Sequence, residues 1–345
     1  MPAKWKFAAA QDCWKSRLQH LRSDADWLAA AARLAQRARP LSRPNPGVGA
    51  IIVKDNIVVG RGWTMAGGRP HAEAVALEQA GSNAAGATLY CTLEPCAHVS
   101  VRGPSCADLI VAAQVKTLVY AVEDPDPRTC GTGAVRIAAA GIETRRVASA
   151  PADASLAGYQ MVKRNNRPHV TLKLALSLDG CIALADGQSR WITGDVARAH
   201  VHAQRAQADA ILVGGNTWRS DKPHLGVRLA GLESRSPNRI VLTRSGNCGD
   251  VATVSAPQQI AQLAGVQYLY LEGGAQTAAA FLKADLVDLI HLYRAPILIG
   301  GGKPALTDIG LTDLRQAHGR WKLADRRELG SDLFEAYERT PCSPE

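Results

Sequence analysis

Three residues of this chain have the types and spacing of zinc ligands: His71, Cys96 and Cys106. One imidazole and two thiolates suit a tetrahedral zinc ion whose fourth position is open to water, as in a catalytic site. Glu73 lies two residues after the histidine, where a carboxylate can move protons on and off that water. Taken singly, these residues are more often a capping histidine and buried small cysteines. Together they predict a hydrolytic zinc site.

The elements around these residues must bring them together. Residues two apart in mid-helix point to different sides, so His71 and Glu73 can converge only near a helix start. Pro70 favours such a start, because proline is tolerated in the first helical turn. A second helix N-terminus near Cys106 would help to hold its thiolate. The residue Cys96 follows an apolar strand, so we expect the ligands at a strand-to-helix turn.

Composition restricts the class of protein. A chain of 345 residues fits two domains, and 46% hydrophobic with 21% charged residues is typical of a globular protein. Eight cysteines in this length are not a disulfide framework, and cysteines placed as metal ligands imply a reducing compartment. No apolar run approaches the roughly 20 residues of a membrane span, and no secretory signal is evident. We therefore expect a cytoplasmic protein without membrane contacts.

The net charge of +9 suggests that the protein binds a negatively charged partner. Its basic residues are scattered along the chain, and only 5% of residues are aromatic, so a stacking platform for nucleic acid has little support. Phosphorylated small molecules fit better than nucleic acid. Homo-oligomerisation, most commonly with two-fold symmetry, is the general expectation.

Strands alternate with helices along most of the chain, which predicts an α/β fold with mostly parallel sheets. We expect an N-terminal extension over residues 1–23, a first domain over 24–147, a linker over 148–168 and a second domain over 169–345. The first domain should open with a helix capped by Asp24 and a hairpin from Ala50. In the second, the turn after strand 268–271 could hold a phosphate on backbone N–H groups, although alone it is as consistent with a plain tight turn.

The motifs resemble those of one family. H-x-E followed by P-C and a later cysteine is the signature of zinc deaminases that act on nucleobases. With P-N-P-x-V-G at 44–49, P-H-A-E at 70–73 and T-L-E-P-C-A-H at 92–98, the first half resembles the deaminase domain of bifunctional riboflavin-biosynthesis deaminase/reductases. The second half is similar to their reductase domain through K-L-A-L-S-L-D-G at 173–180, S-R-W-I-T-G at 189–194 and L-E-G-G at 271–274. The resemblance covers nearly everything from Asp24 onward.

This resemblance implies a cytidine-deaminase-like three-layer α/β/α domain followed by a dihydrofolate-reductase-like α/β domain. It also implies two consecutive reactions. The first is zinc-dependent hydrolysis of the 2-amino group of 2,5-diamino-6-ribosylamino-4(3H)-pyrimidinone 5′-phosphate. The second is NADPH-dependent reduction of the ribosyl group of the aminouracil product to a ribityl chain.

The resemblance also implies residue roles beyond the zinc site and Glu73. The deaminase substrate would contact Asn45, His98 and Arg102. The reductase substrate would contact Ser189, Arg205, Leu225, Arg228 and Glu272. NADPH would contact Ala175, Trp191, Thr217, Asp221, Gly274, Ala275, Gln276 and Thr277.

The chain departs from the family pattern at several positions. Nine residues separate Cys96 from Cys106 where the family usually has eight, which weakens the transfer to His98 and Arg102. Cys181 and Lys222 replace residues of other types. At 244–245, Arg-Ser stands in place of the usual aspartate-serine, which blurs one cofactor contact.

Two other function classes compete with this interpretation. A deaminase of nucleosides or tRNA would usually carry P-C-x-x-C, whereas here the second cysteine comes ten residues after the first. A zinc-stabilised nucleic-acid-binding protein would need four protein ligands and a basic face. A chain in which one half is catalytically inactive also remains open.

Overall fold

The computed structural model describes residues 22–98, 101–245 and 248–340. The chain divides into two compact units. The first contains the chain up to Ala38 together with Asn45–Leu156, and the second contains Arg39–Pro44 together with the chain from Ala157 onward. The expected N-terminal extension lies almost entirely outside the described residues.

The first unit is a five-stranded sheet with helices on both faces. Its elements in chain order are α1 (Asp24–Ala35), β1 (Gly49–Lys54), β2 (Ile57–Trp63), α2 (Ala72–Ala80), β3 (Thr88–Leu93), α3 (Cys106–Ala112), β4 (Thr117–Val122), α4 (Thr132–Ala139), β5 (Glu143–Arg146) and α5 (Ala150–Ser155).

Helix α1 is capped one residue earlier than the sequence suggested. Ser23, rather than Asp24, is the N-cap, and its hydroxyl accepts from the Asp26 backbone while the Asp26 side chain bonds back to Ser23. This reciprocal arrangement satisfies N–H groups that have no partner within the helix. Trp27, Leu28, Ala31, Ala32 and Ala35 form the buried face of this helix.

The sheet of the first unit has the order β2-β1-β3-β4-β5. The predicted hairpin pairs β1 with β2, β1 also runs antiparallel to β3, and β3, β4 and β5 are parallel. Helices α1 and α5 pack on one face, and α2 packs with α3 on the other. The expected three-layer α/β/α arrangement is therefore present.

Residues 148–168, expected as a linker, contain helix α5 and then α6 (Ala157–Asn165). The two compact units meet along the chain between these helices, at Leu156 and Ala157. The alanine-rich composition of this stretch suits helices, and Ser149 caps α5 by accepting from the Ala152 backbone.

The second unit is built on an eight-stranded sheet. After α6, its elements are β6 (His169–Leu176), β7 (Cys181–Ala183), α7 (Asp195–Arg205), β8 (Ala210–Gly214), α8 (Gly215–Asp221), β9 (Asn238–Leu242), β10 (Ala252–Val254), β11 (Tyr268–Leu271), α9 (Ala275–Lys283), β12 (Leu289–Arg294), β13 (Lys303–Pro304), β14 (Trp321–Leu329) and β15 (Asp332–Arg339).

The strand order of this large sheet is β10-β9-β8-β11-β6-β12-β15-β14. The six strands from β10 to β12 are parallel, and β15 and β14 add an antiparallel edge. Side chains of β6 alternate between the two faces: Leu172 and Leu174 enter one apolar cluster, whereas Lys173 and Ala175 lie on the opposite face. That opposite face carries the polar groups described below.

The short segment Arg39–Pro44 packs within the second unit. Arg43 Nε lies 3.1 Å from Asp209 Oδ1, and the Asp209 side chain is 1% exposed. The Gln267 side-chain amide donates to the Pro44 carbonyl at 2.9 Å, and the Arg39 guanidinium lies 3.3 Å from the centre of the Tyr268 ring. These contacts join the segment to β11 and to the start of β8.

No helix in the described part of the chain is long and apolar enough to cross a membrane.

Candidate functional site

The three predicted metal ligands converge in the first unit. The ligand atoms of His71, Cys96 and Cys106 all lie within 4.8 Å of one another. His71 Nδ1 is 3.2 Å from Cys106 Sγ and 3.5 Å from Cys96 Sγ. Both thiols are buried, and the described residues contain no second cluster of this kind. Two soft thiolates and one imidazole, close together and shielded from solvent, fit zinc and leave room for a fourth ligand.

Local structure explains this convergence. His71 is the N-cap of α2, so its side chain projects from the first turn of that helix. Cys106 is the first residue of α3, whose N-cap Ser105 accepts from the Asp108 backbone. The backbone N–H of Cys106 donates to Cys96 Sγ at 3.4 Å, which favours a thiolate at Cys96. The expected helix starts at both ligands are present.

The two thiols affect each other's ionisation. A hydrogen bond from Cys106 is the main cause that lowers the pKa of Cys96, to about 4. The same bond, together with burial, raises the pKa of Cys106. An ionised thiolate beside a neutral thiol is a donor pair ready to lose its last proton to a metal ion.

Glu73 lies in the first turn of α2, next to this cluster. Its side chain is nearly fully buried, and burial raises its pKa to about 6, against the opposing effect of His71. A carboxyl group with such a pKa can accept and release a proton near neutral pH.

Asn45 extends the cluster on its other side. Its side-chain nitrogen lies 3.2 Å from His71 Nε2, the ring nitrogen opposite the one that faces the thiols, and donates to the Gly68 carbonyl at 2.8 Å. The sequence placed Asn45 at the substrate but gave no sign of this contact with the histidine.

His98 and Arg102 flank residues 99–100, which lie outside the described chain. His98 Nδ1 is 3.5 Å from Thr129 Oγ1, and Arg102 is exposed. The described contacts of His98 do not join it to the metal ligands.

The sequence did not single out Glu94, which supports the site from behind. This buried carboxylate accepts from the backbone N–H groups of Asp124, Gly131 and Ala134, at 3.4, 3.0 and 3.1 Å. It thereby fastens the loop after β4 and the start of α4 against the end of β3, two residues before Cys96. A glutamate beside a proline-cysteine pair could have signalled such a role.

A second polar cluster lies in the other unit, on the Lys173 face of the large sheet. Arg205 at the end of α7 forms a double hydrogen bond with Glu272, at 2.6 and 2.9 Å, and both side chains are 12% exposed. Burial acts to raise the pKa of Glu272, but Arg205 outweighs it and holds that pKa below its usual range. Burial lowers the pKa of the nearby Lys173, which begins the K-L-A-L-S-L-D-G motif but to which that motif assigned no role.

Three further residues are predicted to contact the reductase substrate, and they differ in how near they lie to the Arg205–Glu272 pair. Arg228 Nε lies 3.4 Å from His202 Nε2, on the same helix as Arg205. Leu225 is buried with a positive φ of 57°. Ser189 is exposed in the loop before α7. The geometry joins Arg205 to Glu272 directly and leaves Ser189 at the surface.

A cavity of about 980 Å³ opens at the carboxyl ends of β8, β9 and β11. Ligands bind at this edge of parallel sheets because the loops there diverge. Six of the predicted NADPH contacts line it: Thr217, Asp221, Gly274, Ala275, Gln276 and Thr277. The glycine turn leads into α9, whose first backbone N–H groups can hold a phosphate.

The two remaining predicted NADPH contacts are not part of the cavity lining. Ala175 packs against the apolar cluster around Tyr270 and Tyr293. Trp191 is exposed and stacks with Arg198, whose guanidinium carbon is 4.5 Å from the ring centre.

Both halves of the chain match known domain families. Residues 21–122 match the cytidine and deoxycytidylate deaminase zinc-binding region, and residues 168–334 match the RibD C-terminal domain. The riboflavin biosynthesis protein RibD of Mycobacterium tuberculosis is 39% identical over 308 residues, which cover 84% of this chain and 90% of that protein.

Solved structures agree along nearly the whole length. Acinetobacter baumannii RibD superposes with a TM-score of 0.81 at 33% identity, covering 93% of this chain and all of that one. A Thermotoga maritima protein described as a diaminohydroxyphosphoribosylaminopyrimidine deaminase/5-amino-6-(5-phosphoribosylamino)uracil reductase superposes with a TM-score of 0.82 at 28% identity, with the same coverage.

Proposed function

Because the chain belongs to the RibD family of bifunctional riboflavin biosynthesis proteins, we propose that its two units catalyse the two reactions expected from its motifs. The first unit removes the 2-amino group of 2,5-diamino-6-ribosylamino-4(3H)-pyrimidinone 5′-phosphate as ammonia. The second uses NADPH to reduce the ribosyl group of 5-amino-6-(5-phosphoribosylamino)uracil to a ribityl chain. We propose domain limits of 24–147 and 169–345 for these activities.

The buried cluster around His71 carries the proposal for deamination. His71, Cys96 and Cys106 would hold one zinc ion, which supplies a Lewis acid and lowers the pKa of a water molecule. Glu73 takes one proton from the attacking water and delivers it to the ring nitrogen, and it then carries the second proton from the added hydroxyl to the amine, which leaves as ammonia. Asn45 holds the base next to His71, and His98 and Arg102 hold the phosphate end.

The cavity at the edge of the large sheet supports the reductase assignment. NADPH would lie there on the turn Gly274–Thr277 with Thr217 and Asp221. Ala175 and Trp191, which lie outside that lining, are the two other proposed contacts of the cofactor. Arg205, Glu272 and the residues Ser189, Leu225 and Arg228 bind the sugar phosphate. Hydride transfer requires no metal, so this unit contributes placement and charge.

Replacement of Glu73 tests whether the first unit catalyses deamination and the second catalyses reduction. We expect Glu73→Gln to abolish ammonia release from the diaminopyrimidinone phosphate while NADPH oxidation with the already deaminated substrate continues. Glu78→Gln removes an exposed carboxylate from the same helix and should leave both reactions unchanged. Persistent deamination in Glu73→Gln would show that this carboxyl group is not the proton carrier.

We also propose that the enzyme self-associates and works in the cytoplasm. Two-fold self-association is the common case for soluble enzymes. Light scattering on the purified chain would give its mass in solution, and a monomer across the working concentration range would contradict this proposal.

A further inference from the structure

Two arginines line the cofactor cavity beyond the residues assigned above. Arg219 on α8 donates to Asn216 Oδ1 at 2.7 Å, and its other terminal nitrogen lies 3.4 Å from Ser245 Oγ. Arg244 and Ser245 follow β9 directly and also line the cavity. Ser245 Oγ is held by Thr243 Oγ1 at 2.9 Å. The cavity therefore has one arginine on α8, beside the Ser245 hydroxyl, and a second at the end of β9.

The charges of these arginines are uncompensated. Among the residues that the structure describes, no carboxylate pairs with Arg219 or Arg244, and both side chains are exposed to the cavity mouth. Two acidic residues, Asp186 and Asp221, line the same cavity, and Asp186 is engaged by the Gln188 backbone. Lys303 is the third cation in the lining. Unpaired guanidinium groups beside a hydroxyl suit a phosphate, whose oxygens match their planar fork.

The distance between the end of β9 and the glycine turn after β11 indicates the size of the ligand that could reach both. The glycine turn follows β11, and Arg244 follows β9, with β8 between the two strands. Two strand spacings amount to roughly 10 Å at the same edge of the sheet. A dinucleotide whose pyrophosphate lies on the turn would thus carry its adenosine toward Arg244 and Arg219.

We propose that Arg244, Arg219 and Ser245 form a subsite for the 2′-phosphate of the adenosine ribose, and that this subsite selects NADPH over NADH. The inference rests on the proposed reductase function. A phosphomonoester carries a charge of about −1.5 to −2 at pH 7, so the nucleotide without it gains little from two arginines.

Binding without turnover tests the subsite. We would titrate the purified chain with NADP⁺ and, separately, NAD⁺ by calorimetry. Loss of a charge-assisted contact should weaken NADP⁺ binding roughly ten- to hundredfold in Arg244→Ala, and NAD⁺ binding by less than about twofold. Arg219→Ala should show the same selectivity, and Arg244→Asp a larger loss. Arg326→Ala removes the same charge from an exposed position on β14 and should change neither affinity.

Several outcomes would overturn the inference. Equal weakening of both nucleotides by Arg244→Ala would move this residue from selectivity to general binding. A selective loss in Lys303→Ala but not in Arg244→Ala would place the phosphate at the other cation. A wild-type chain that binds both nucleotides equally would leave the reductase standing without this subsite. Failure to bind either nucleotide, with no reduction of the aminouracil, would reject the reductase proposal itself.

Discussion

At the scale of single residues, the zinc site depends on three side chains from separate elements of the first unit, two of them buried thiols. Cys96 and Cys106 are buried, and their ionisable neighbours include His71, Glu73 and each other. The cluster offers one ligand atom from each of three residues, which leaves no spare donor in the set. Occupancy of the site should therefore depend on every ligand.

Removal of one thiol should release the metal. We expect about one zinc per wild-type chain and less than about a tenth of that in Cys106→Ala, because two protein ligands cannot retain zinc in competition with a chelator. Cys91→Ala removes another fully buried cysteine, on the same strand that leads to Cys96, and should retain the metal. Elemental analysis after dialysis measures both. Equal loss in the two variants would mean that Cys106 is not a ligand.

The sequence predicted this site well because its motifs are local. His71 and Glu73 share a helix start, and Cys96 and Cys106 each stand at an element boundary that nearby breakers mark. Contacts between residues that are distant in sequence could not be predicted from these local motifs. The approach of Asn45 to His71 and the placement of Lys173 beside Glu272 depend on how distant strands pair.

At the scale of elements, two helices of the first unit lie directly on glycines of the sheet. A Cβ atom at Gly49 of β1 would stand 1.9 Å from the Ala31 carbonyl oxygen of α1, and one at Gly62 of β2 would stand 2.2 Å from that of Ala72. The second contact lies at the first turn of α2, between His71 and Glu73. Close helix–sheet packing therefore sets the depth at which the metal ligands lie.

Gly49→Ala should separate α1 from the sheet. We expect a loss of about 3 kcal/mol in the free energy of unfolding, because the clash is with backbone that cannot move aside. Gly194→Ala is the matched control: its nearest atom would be 3.5 Å away, and its effect should stay below about 1 kcal/mol. Urea unfolding of both variants tests this, and equal stabilities would contradict the packing argument.

Most elements followed from periodicity, and the exceptions have physical causes. The boundaries of β11 match the predicted strand 268–271 because this strand is a continuous apolar run. The terminal hairpin β14–β15 was not anticipated, since β14 exposes charged residues on both faces and shows no apolar alternation. Such an edge strand is specified by its partner rather than by its own sequence.

At the scale of the whole molecule, stability should depend on pH through His291. Burial lowers its pKa to about 3, from 6.5 in the unfolded chain. The folded state thus keeps the ring neutral, so its full contribution is present above pH 6.5 and is lost as the pH falls toward 3. The unfolded chain gains a proton there that the folded chain does not, which costs up to about 1.4 kcal/mol per pH unit.

We therefore expect the second unit to lose about 2 kcal/mol between pH 6.5 and 5 through this residue. His291→Gln should flatten the decline, whatever its effect at neutral pH. His318→Gln, in an exposed loop, should leave the slope unchanged. Pulse proteolysis in urea with quantified fragments of the second unit gives the required free energies. An unaltered slope in His291→Gln would exclude this histidine as the cause.

The segment Arg39–Pro44 also acts at this scale. Arg43→Ala would leave the buried Asp209 carboxylate with the backbone N–H groups of Gln267 and Tyr268 and the charge of Arg39, and should destabilise the second unit by about 2 kcal/mol. Amide exchange in β11 should accelerate accordingly. Arg315→Ala, which breaks an ion pair at the surface, should leave this exchange unchanged. No sequence pattern marked this segment, because its partners lie in the other half of the chain.

The same segment constrains the order of events on the ribosome. Pro44 and its partner Gln267 are 223 positions apart, so at 5–20 residues per second the segment waits about 10–45 s for that partner to be synthesised. During this time Arg39 and Arg43 leave the exit tunnel before the surface that they contact in the folded chain is complete. Nascent chains halted before residue 267 should thus expose these arginines to proteases, and chains released after it should protect them.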